Sequence, residues 1–403
     1  MPRPPRSLVS GDVRRHNLTV VLGHVVRSGP SARSEIAEAT GLTRGAVTAL
    51  VAALSEAGVL RETAPVTTGR GRPITRLELA ASDLAILVAQ VDADSATALL
   101  TTLAGDELHR VSRRHGRPMG DPEAVIDVLA AVVADATSAA VRLGRRVVEM
   151  PIVVFAPVGG EPPVVLTDTD LGWGEVDVIG GLRSRLGVLP GPVVLEADGW
   201  LAAVAERTIL ASTESMLYIK SNSGIGGAVI ANGRIAEGAH GVGGALGHVA
   251  IVPDGELCDC GQRGCLVTVA GPDVLLEKAG LADLVAERGL AAAVDELSAQ
   301  ISAGAAPAAD AWAEALPWIA RSLQVLSLAT DPEAIVIGGF WAAHTASIEQ
   351  AFRSNRPTLA EARDGLPAIP AVVAGRLGAD AALLGAVWGS RDRLLADPSR
   401  LGL

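Results

Sequence analysis

All three cysteines of this 403-residue chain fall within eight positions, as Cys258, Cys260 and Cys265, with His248 ten residues before the first of them. Three thiolates and one imidazole are the four donors that tetrahedral zinc takes in a closed structural site. Gly255, Gly261 and Gly264 punctuate the stretch, where a tight knuckle needs backbone tolerant of positive φ. The alternative is a Cys258–Cys260 disulfide with one free thiol, and an odd cysteine count without a secretory segment argues against it. A catalytic zinc keeps an open coordination position, and a saturated Cys3His set leaves none. The metal expected here is a structural zinc that holds a loop.

Gly247-His248, followed by Cys-x-Cys-Gly-x-x-Gly-Cys-Leu at 258–266, resembles the zinc signature of the ROK family, which groups repressors, open reading frames and sugar kinases. The resemblance implies an α/β fold, a two-lobed actin-like ATPase domain of the ROK sugar-kinase type. The chain beyond residue 84 agrees, because buried strands alternate with helical stretches in two rounds. One round runs through LAILVAQVDADSATALLTTLAGDEL, the DPEAVIDVLAAVVADATSAAVRLG helix, VVEMPIVVF and PVVLEADGWLAAVAER. The other runs through MLYIKSNSGIGGAVIANGRI, expected to turn at Asn232-Gly233, then AIVIGGF and a last helix over 377–389.

The net charge of −11 is unevenly spread. Eleven arginines in the first 80 residues face six acids, so that segment carries +5 and the remainder −16. Such asymmetry points to a nucleic-acid module at one end. Leu18, Val21, Leu22 and Val25 have helical spacing over 14–27, a second short helix follows over 32–40, and Gly41-Leu42 makes a turn. Thr43 then caps a helix whose inner face is Val47, Leu50, Val51 and Leu54. VLRETAP and ITRLELA read as two strands joined by an arginine-tipped loop, VTTGRGRP. The pattern predicts a winged helix-turn-helix over 1–82, preceding an effector and dimerisation domain over 83–403.

The start of the third helix is small except for Arg44, which lets it enter the ~12 Å major groove and pair with guanine. Thr48 lies on the same exposed turn, and Thr43 and Arg33 are placed to contact phosphate. Arg70 and Arg72 in the GRGRP wing suit a narrow minor groove, and this wing also resembles that of ROK repressors. Arg61 and Arg76 are expected to be solvated strand residues.

Kinases of the family carry motifs that are checked here position by position. The phosphate loop Asp-x-Gly-Gly-Thr falls on Asp92-Ala93-Asp94-Ser95-Ala96, where Asp94 would set a carboxylate against phosphate. A second phosphate loop is largely kept as Asn222-Ser223-Gly224-Ile225-Gly226, and Gly338-Gly339 matches the adenosine motif. The motif Asn-Asp-Ala-Asn, whose aspartate is the general base, becomes Ala197-Asp198-Gly199-Trp200. Glu-x-Gly-His becomes Ala245-Leu246-Gly247-His248, and Cys-Leu-Glu becomes Cys265-Leu266-Val267. Two carboxylates and two amides that hold sugar hydroxyls are therefore missing, each worth about 1.5–3 kcal/mol as a charged hydrogen bond or somewhat less as a neutral one. Asp198 is a possible relic of the kinase base.

The resemblance and the residues together predict a transcriptional regulator, most readily a repressor of carbohydrate genes, and not an enzyme. Its partners would be a double-stranded operator with inverted-repeat symmetry, a second copy or three further copies of itself, and a sugar or glycoside effector. The effector would meet Trp173, Asp198, Trp200 and His248. An ATP-dependent sugar kinase with an appended DNA arm is one alternative; a zinc-stabilised DNA-binding scaffold without ligand is another. No uncharged apolar run reaches the ~18 residues that span a bilayer, and MPRPPRSLVSGDVRRHN has no signal-peptide core. A cytoplasmic location away from membranes is expected.

Overall fold

The computed structural model describes residues 10–63, 75–80, 83–117, 119–166, 172–210, 213–354 and 369–401. The first three helices are α1 (Ser10–Ser28), α2 (Arg33–Thr40) and α3 (Arg44–Glu56). Strands β1 (Ser31–Ala32), β2 (Leu60–Glu62) and β3 (Arg76–Leu79) pair in the order β1-β3-β2. Helix α2 ends because Gly41 adopts the left-handed conformation (φ +71°), and Thr43 starts α3 by accepting the Ala46 N–H at 3.2 Å. Leu18, Val21, Leu22, Ile36, Val47, Val51 and Leu77 close the small core. Three helices and two paired strands thus lie where the apolar spacing predicts them, and the loop at 64–74 joining the strands lies outside the described residues.

The first lobe contains β4 (Leu84–Val91), β5 (Ser95–Thr102), β6 (Glu107–Arg114), α4 (Pro122–Arg142), β7 (Arg146–Val154), β8 (Val158–Gly159), β9 (Val164–Val165), α5 (Val178–Leu186), β10 (Val193–Ala197) and α6 (Asp198–Leu210). The second contains β11 (Met216–Ser221), β12 (Ile225–Ala231), β13 (Arg234–Ile235), α7 (Val267–Ala270), α8 (Pro272–Lys278), α9 (Asp283–Arg288), α10 (Leu290–Ser302), α11 (Ala308–Thr330), β14 (Ala334–Gly339), α12 (Thr345–Ser354), β15 (Ala371–Ala374) and α13 (Ala381–Ala396). Their sheets run β10-β7-β4-β5-β6 and β13-β12-β11-β14-β15. In each, a three-stranded antiparallel meander comes first and two parallel strands are added beside its first strand. The connectivity of one lobe is thus repeated in the other. The main hairpin of the second sheet turns at 222–224, while Asn232-Gly233 makes the shorter return to β13.

Helices α6 and α13 lie between the two sheets. Leu201, Ala202, Leu383, Ala386 and Val387 share one apolar cluster with Ile86, Val88, Tyr218 and Val336. The same cluster continues into the winged helix, whose α1 rests on α13, and Thr19 Oγ1 donates to the Ala396 carbonyl at 3.0 Å. Helix α4 starts with Asp121 as cap and Pro122 in its first turn. It is long and apolar enough to cross a bilayer, but Val125, Ile126, Leu129, Val132 and Val133 are buried in the first lobe's core. It is a core helix.

Candidate functional site

The donor atoms of His248, Cys258, Cys260 and Cys265 all lie within 4.8 Å of one another. His248 ends a single turn of 3-10 helix at 246–248, and the cysteines follow on a knuckle pinned by the bridges Ala250–Cys265 and Leu257–Arg263. Gly264 is required in that knuckle: at φ +77° an added Cβ would drive into the Val252 carbonyl. His248 Nδ1 is 3.6 Å from Cys258 Sγ, and Cys260 Sγ is 3.5 Å from Cys265 Sγ. Zinc–sulfur bonds of about 2.3 Å in a tetrahedron place sulfurs roughly 3.8 Å apart, so the set fits such an ion. No disulfide joins the three cysteines. Burial opposes ionisation of Cys260, yet the Gln262 backbone N–H and the neighbouring thiols bring it down to about 7, whereas burial pushes Cys265 up to about 12. A bound cation would take up all three as thiolates.

Beside the metal loop lies a cleft of about 510 Å³. Ala197, Asp198, Trp200, Ala245, His248 and Val267 all line it, so the chain brings together every position where the sugar motifs are altered. The Trp200 indole N–H is already committed, donating to the Gly243 carbonyl at 2.6 Å, but the ring still forms wall. Trp173 is a correction: it is 5 % exposed in the first lobe's core, its Nε1 donates to the Gly120 carbonyl, and it does not reach the cleft. Its setting in the polar, glycine-flanked stretch TDTDLGWGEVD gave no sign of which side it would face.

Asp198 opens α6 and is 8 % exposed. Its carboxylate is bound by Lys220 from β11, an ion pair the motif comparison did not anticipate. Burial works to lower the Lys220 pKa, but Asp198 holds it above the ordinary lysine value. Asp92, next to this pair, is raised above the usual carboxylate range by desolvation, against the opposing charge of Lys220. The signal for Lys220 was available: it is one of two lysines in the chain and interrupts the apolar strand MLYIKS. Asp94 does not face an open phosphate site. It is buried and accepts the Leu290 N–H at 2.8 Å.

On the winged helix, Arg44 and Thr48 are exposed at the start of α3, and Thr48 Oγ1 donates to the Arg44 carbonyl at 2.8 Å. Arg33 opens α2 in an ion pair with Glu62 at 2.7 Å. Arg61 and Arg76 are not simply solvated; they pair with Glu78 and Glu35 at 2.8 and 2.9 Å. Among the described arginines from 33 to 76, Arg44 alone has no acidic partner within the described residues. Arg70 and Arg72 lie outside the described residues.

Residues 91–392 match the model of the ROK family. The chain belongs to the ROK family. It is 28 % identical over 232 residues to the glucokinase of Streptomyces coelicolor, covering 54 % of this chain and 71 % of that one. It is 24 % identical over 268 residues to the xylose repressor of Bacillus spizizenii, covering 66 % of this chain and 68 % of the repressor. Among solved structures, a ROK family transcriptional regulator homologous to the E. coli MLC protein superposes with a TM-score of 0.74 at 21 % identity, over 96 % of this chain and 99 % of that one. A ROK glucokinase from Streptomyces griseus, solved with glucose and AMPPNP, superposes with a TM-score of 0.62 at 24 % identity, over 75 % of this chain and 98 % of the kinase. These two structural likenesses establish the fold, an actin-like ROK domain behind an N-terminal helical region.

Proposed function

We propose that this ROK protein is a DNA-binding transcriptional regulator, acting as a repressor on genes of carbohydrate use, and that it does not phosphorylate sugars. The observation that carries this reading is Arg44: exposed, without an acidic partner among the described residues and mounted at the start of a capped helix whose other exposed residues in the first two turns, Gly45, Thr48 and Ala49, are small. An arginine so placed is available for bidentate pairing with guanine in the major groove. Arg33 and Thr43 flank it for phosphate; the Arg33–Glu62 pair is solvent-exposed, and such pairs contribute only ~0–1 kcal/mol, so a phosphate can take the place of Glu62. Arg70 and Arg72 would complete the grip from the wing. Binding would be to an inverted repeat by a dimer or a dimer of dimers, in the cytoplasm, with a structural zinc in the Cys3His loop.

The cleft supports the second half of the reading. The aspartate that stands where the kinases carry their base, Asp198, is engaged by the Lys220 ammonium rather than presented freely to a sugar hydroxyl. The existence of a cleft favours a small effector over a pure scaffold. That effector would have an apolar face for the Trp200 ring and few hydroxyls, or be a larger glycoside. The glucokinase relative keeps one rival reading in view, a kinase with a DNA arm. Selecting fragments of the host genome on purified protein, alongside an ADP-release assay with a hexose panel, separates the two. Enrichment of an inverted repeat with no ADP release is expected; hexose-dependent ADP release with no enriched sequence would overturn the proposal.

A further inference from the structure

The loop that corresponds to the kinases' first phosphate loop makes an unexpected set of contacts across the cleft. Asp94, between β4 and β5, accepts the backbone N–H of Leu290, the first residue of α10 in the opposite lobe. Gly289 makes room for this: its φ is +93°, and an added Cβ would sit 3.0 Å from the Asp94 carboxylate. Arg114, at the end of β6, lies 3.7 Å from the same carboxylate and donates to the Val285 carbonyl of α9 at 2.9 Å. The backbone N–H groups of His115 and Gly116 both donate to the Asp94 carbonyl, at 3.0 and 3.1 Å, so the segment after β6 is tied to the same turn. The next residue, Arg117, grips Asp273 of α8 with both terminal nitrogens, at 2.8 and 2.9 Å. Arg117 and Asp273 stand in the wall of the 510 Å³ cleft itself.

We propose that Asp94, Arg114 and Arg117 form an interlobe latch that holds this chain closed without a nucleotide, and that access to the cleft requires its release. A carboxylate supplied by the protein sits on the α10 amide, so closure is set by side chains already present. The contacts differ in strength. The buried Asp94 bond is charge-assisted, whereas the Arg117–Asp273 pair is largely exposed on its acidic side. Asp94 is therefore the principal element and Arg117 the outer strap. This inference is independent of DNA binding.

Amide hydrogen exchange on the full-length protein tests it, read at positions remote from each substitution. Arg117→Ala leaves the Leu290 acceptor untouched, yet a latch predicts that the Leu290 amide exchanges about twofold to fivefold faster. Asp94→Ala should accelerate exchange across 272–276, on the far side of the strap, by about tenfold. Arg185→Ala breaks pairs with Glu123 and Asp127 inside the first lobe and should leave both regions unchanged. Millimolar Mg-ATP should add no protection to the wild type. The latch is refuted if Arg117→Ala and Asp94→Ala alter exchange only beside the substituted residue. It is refuted equally if Arg185→Ala matches them, or if Mg-ATP protects Leu290 in the wild type.

Discussion

The metal loop and the interlobe cleft share His248, Cys258 and Cys260 as a common wall, yet their chemistries differ in kind. In the loop, four ligand atoms, two bridges and a glycine at positive φ all serve one geometry. In the cleft, the groups that would hold hydroxyls are replaced by Ala197, Trp200, Ala245 and Val267, and the aspartate that remains is paired with Lys220. A Cys3His loop would serve the fold whatever the cleft binds, because its candidate ligands close on one knuckle. Hydroxyl-binding side chains serve one ligand only. The contrast separates what supports the lobe from what chose a substrate.

The largest expected effect tests the loop. The purified protein should hold about one zinc per chain, and Cys260→Ser should lose most of it. Structural zinc supplies on the order of 10–16 kcal/mol of binding free energy in small domains, so the destabilisation should exceed ~3 kcal/mol. Elemental analysis and thermal unfolding read both. Substoichiometric metal in wild-type protein purified without chelator would remove the loop's side of the comparison.

Next in size is the cleft's ion pair. Lys220→Met strands the buried Asp198 and Asp92 without a counter-charge, and loss of one partner of a buried pair costs ~3–5 kcal/mol. The double variant with Asp198→Asn should recover part of that loss. Additive effects in denaturant unfolding would mean that Lys220 and Asp198 are not a unit.

Much of this was legible in the sequence, for identifiable reasons. Metal ligands announce themselves because thiols are rare and must be close, and the winged helix follows from apolar spacing and caps at Thr43 and Gly41. Pairing between distant charges is not written locally. Glu149 is 1 % exposed between Arg393 and Arg400, and Lys220 of β11 meets Asp198 from the start of α6, the helix before it. Trp173 faced inward for the same reason: the side of a loop is set by what packs against it. Helices α8, α9 and α10 lack side-chain caps, and their limits are marked by Pro272 and the glycines at 271, 280 and 289 rather than by polar caps. The short strand after Asn232-Gly233 shows the reverse error, in which a strong turn signal was given the main hairpin.

A smaller effect concerns the wing. Arg70→Ala and Arg72→Ala should weaken DNA binding evenly across sequences and flatten its salt dependence by about one unit of slope each. Smallest of all is the expected response to simple sugars: glucose and N-acetylglucosamine at millimolar concentration should neither give heat by calorimetry nor release the operator. Sub-millimolar binding of either, abolished by Asp198→Ala, would show that the altered cleft still reads hydroxyls and would collapse the contrast with the loop.

The most direct test of the central claim is the base preference of α3. Affinities of wild type and Arg44→Ala are measured at fixed salt on the selected operator and on operators changed at each position of a half-site. The account predicts two half-sites related by a dyad and separated by whole helical turns. It also predicts that Arg44→Ala costs ~1–3 kcal/mol and relaxes discrimination at one base pair. Unchanged base preference in Arg44→Ala, with affinity lowered equally on every sequence, would contradict it.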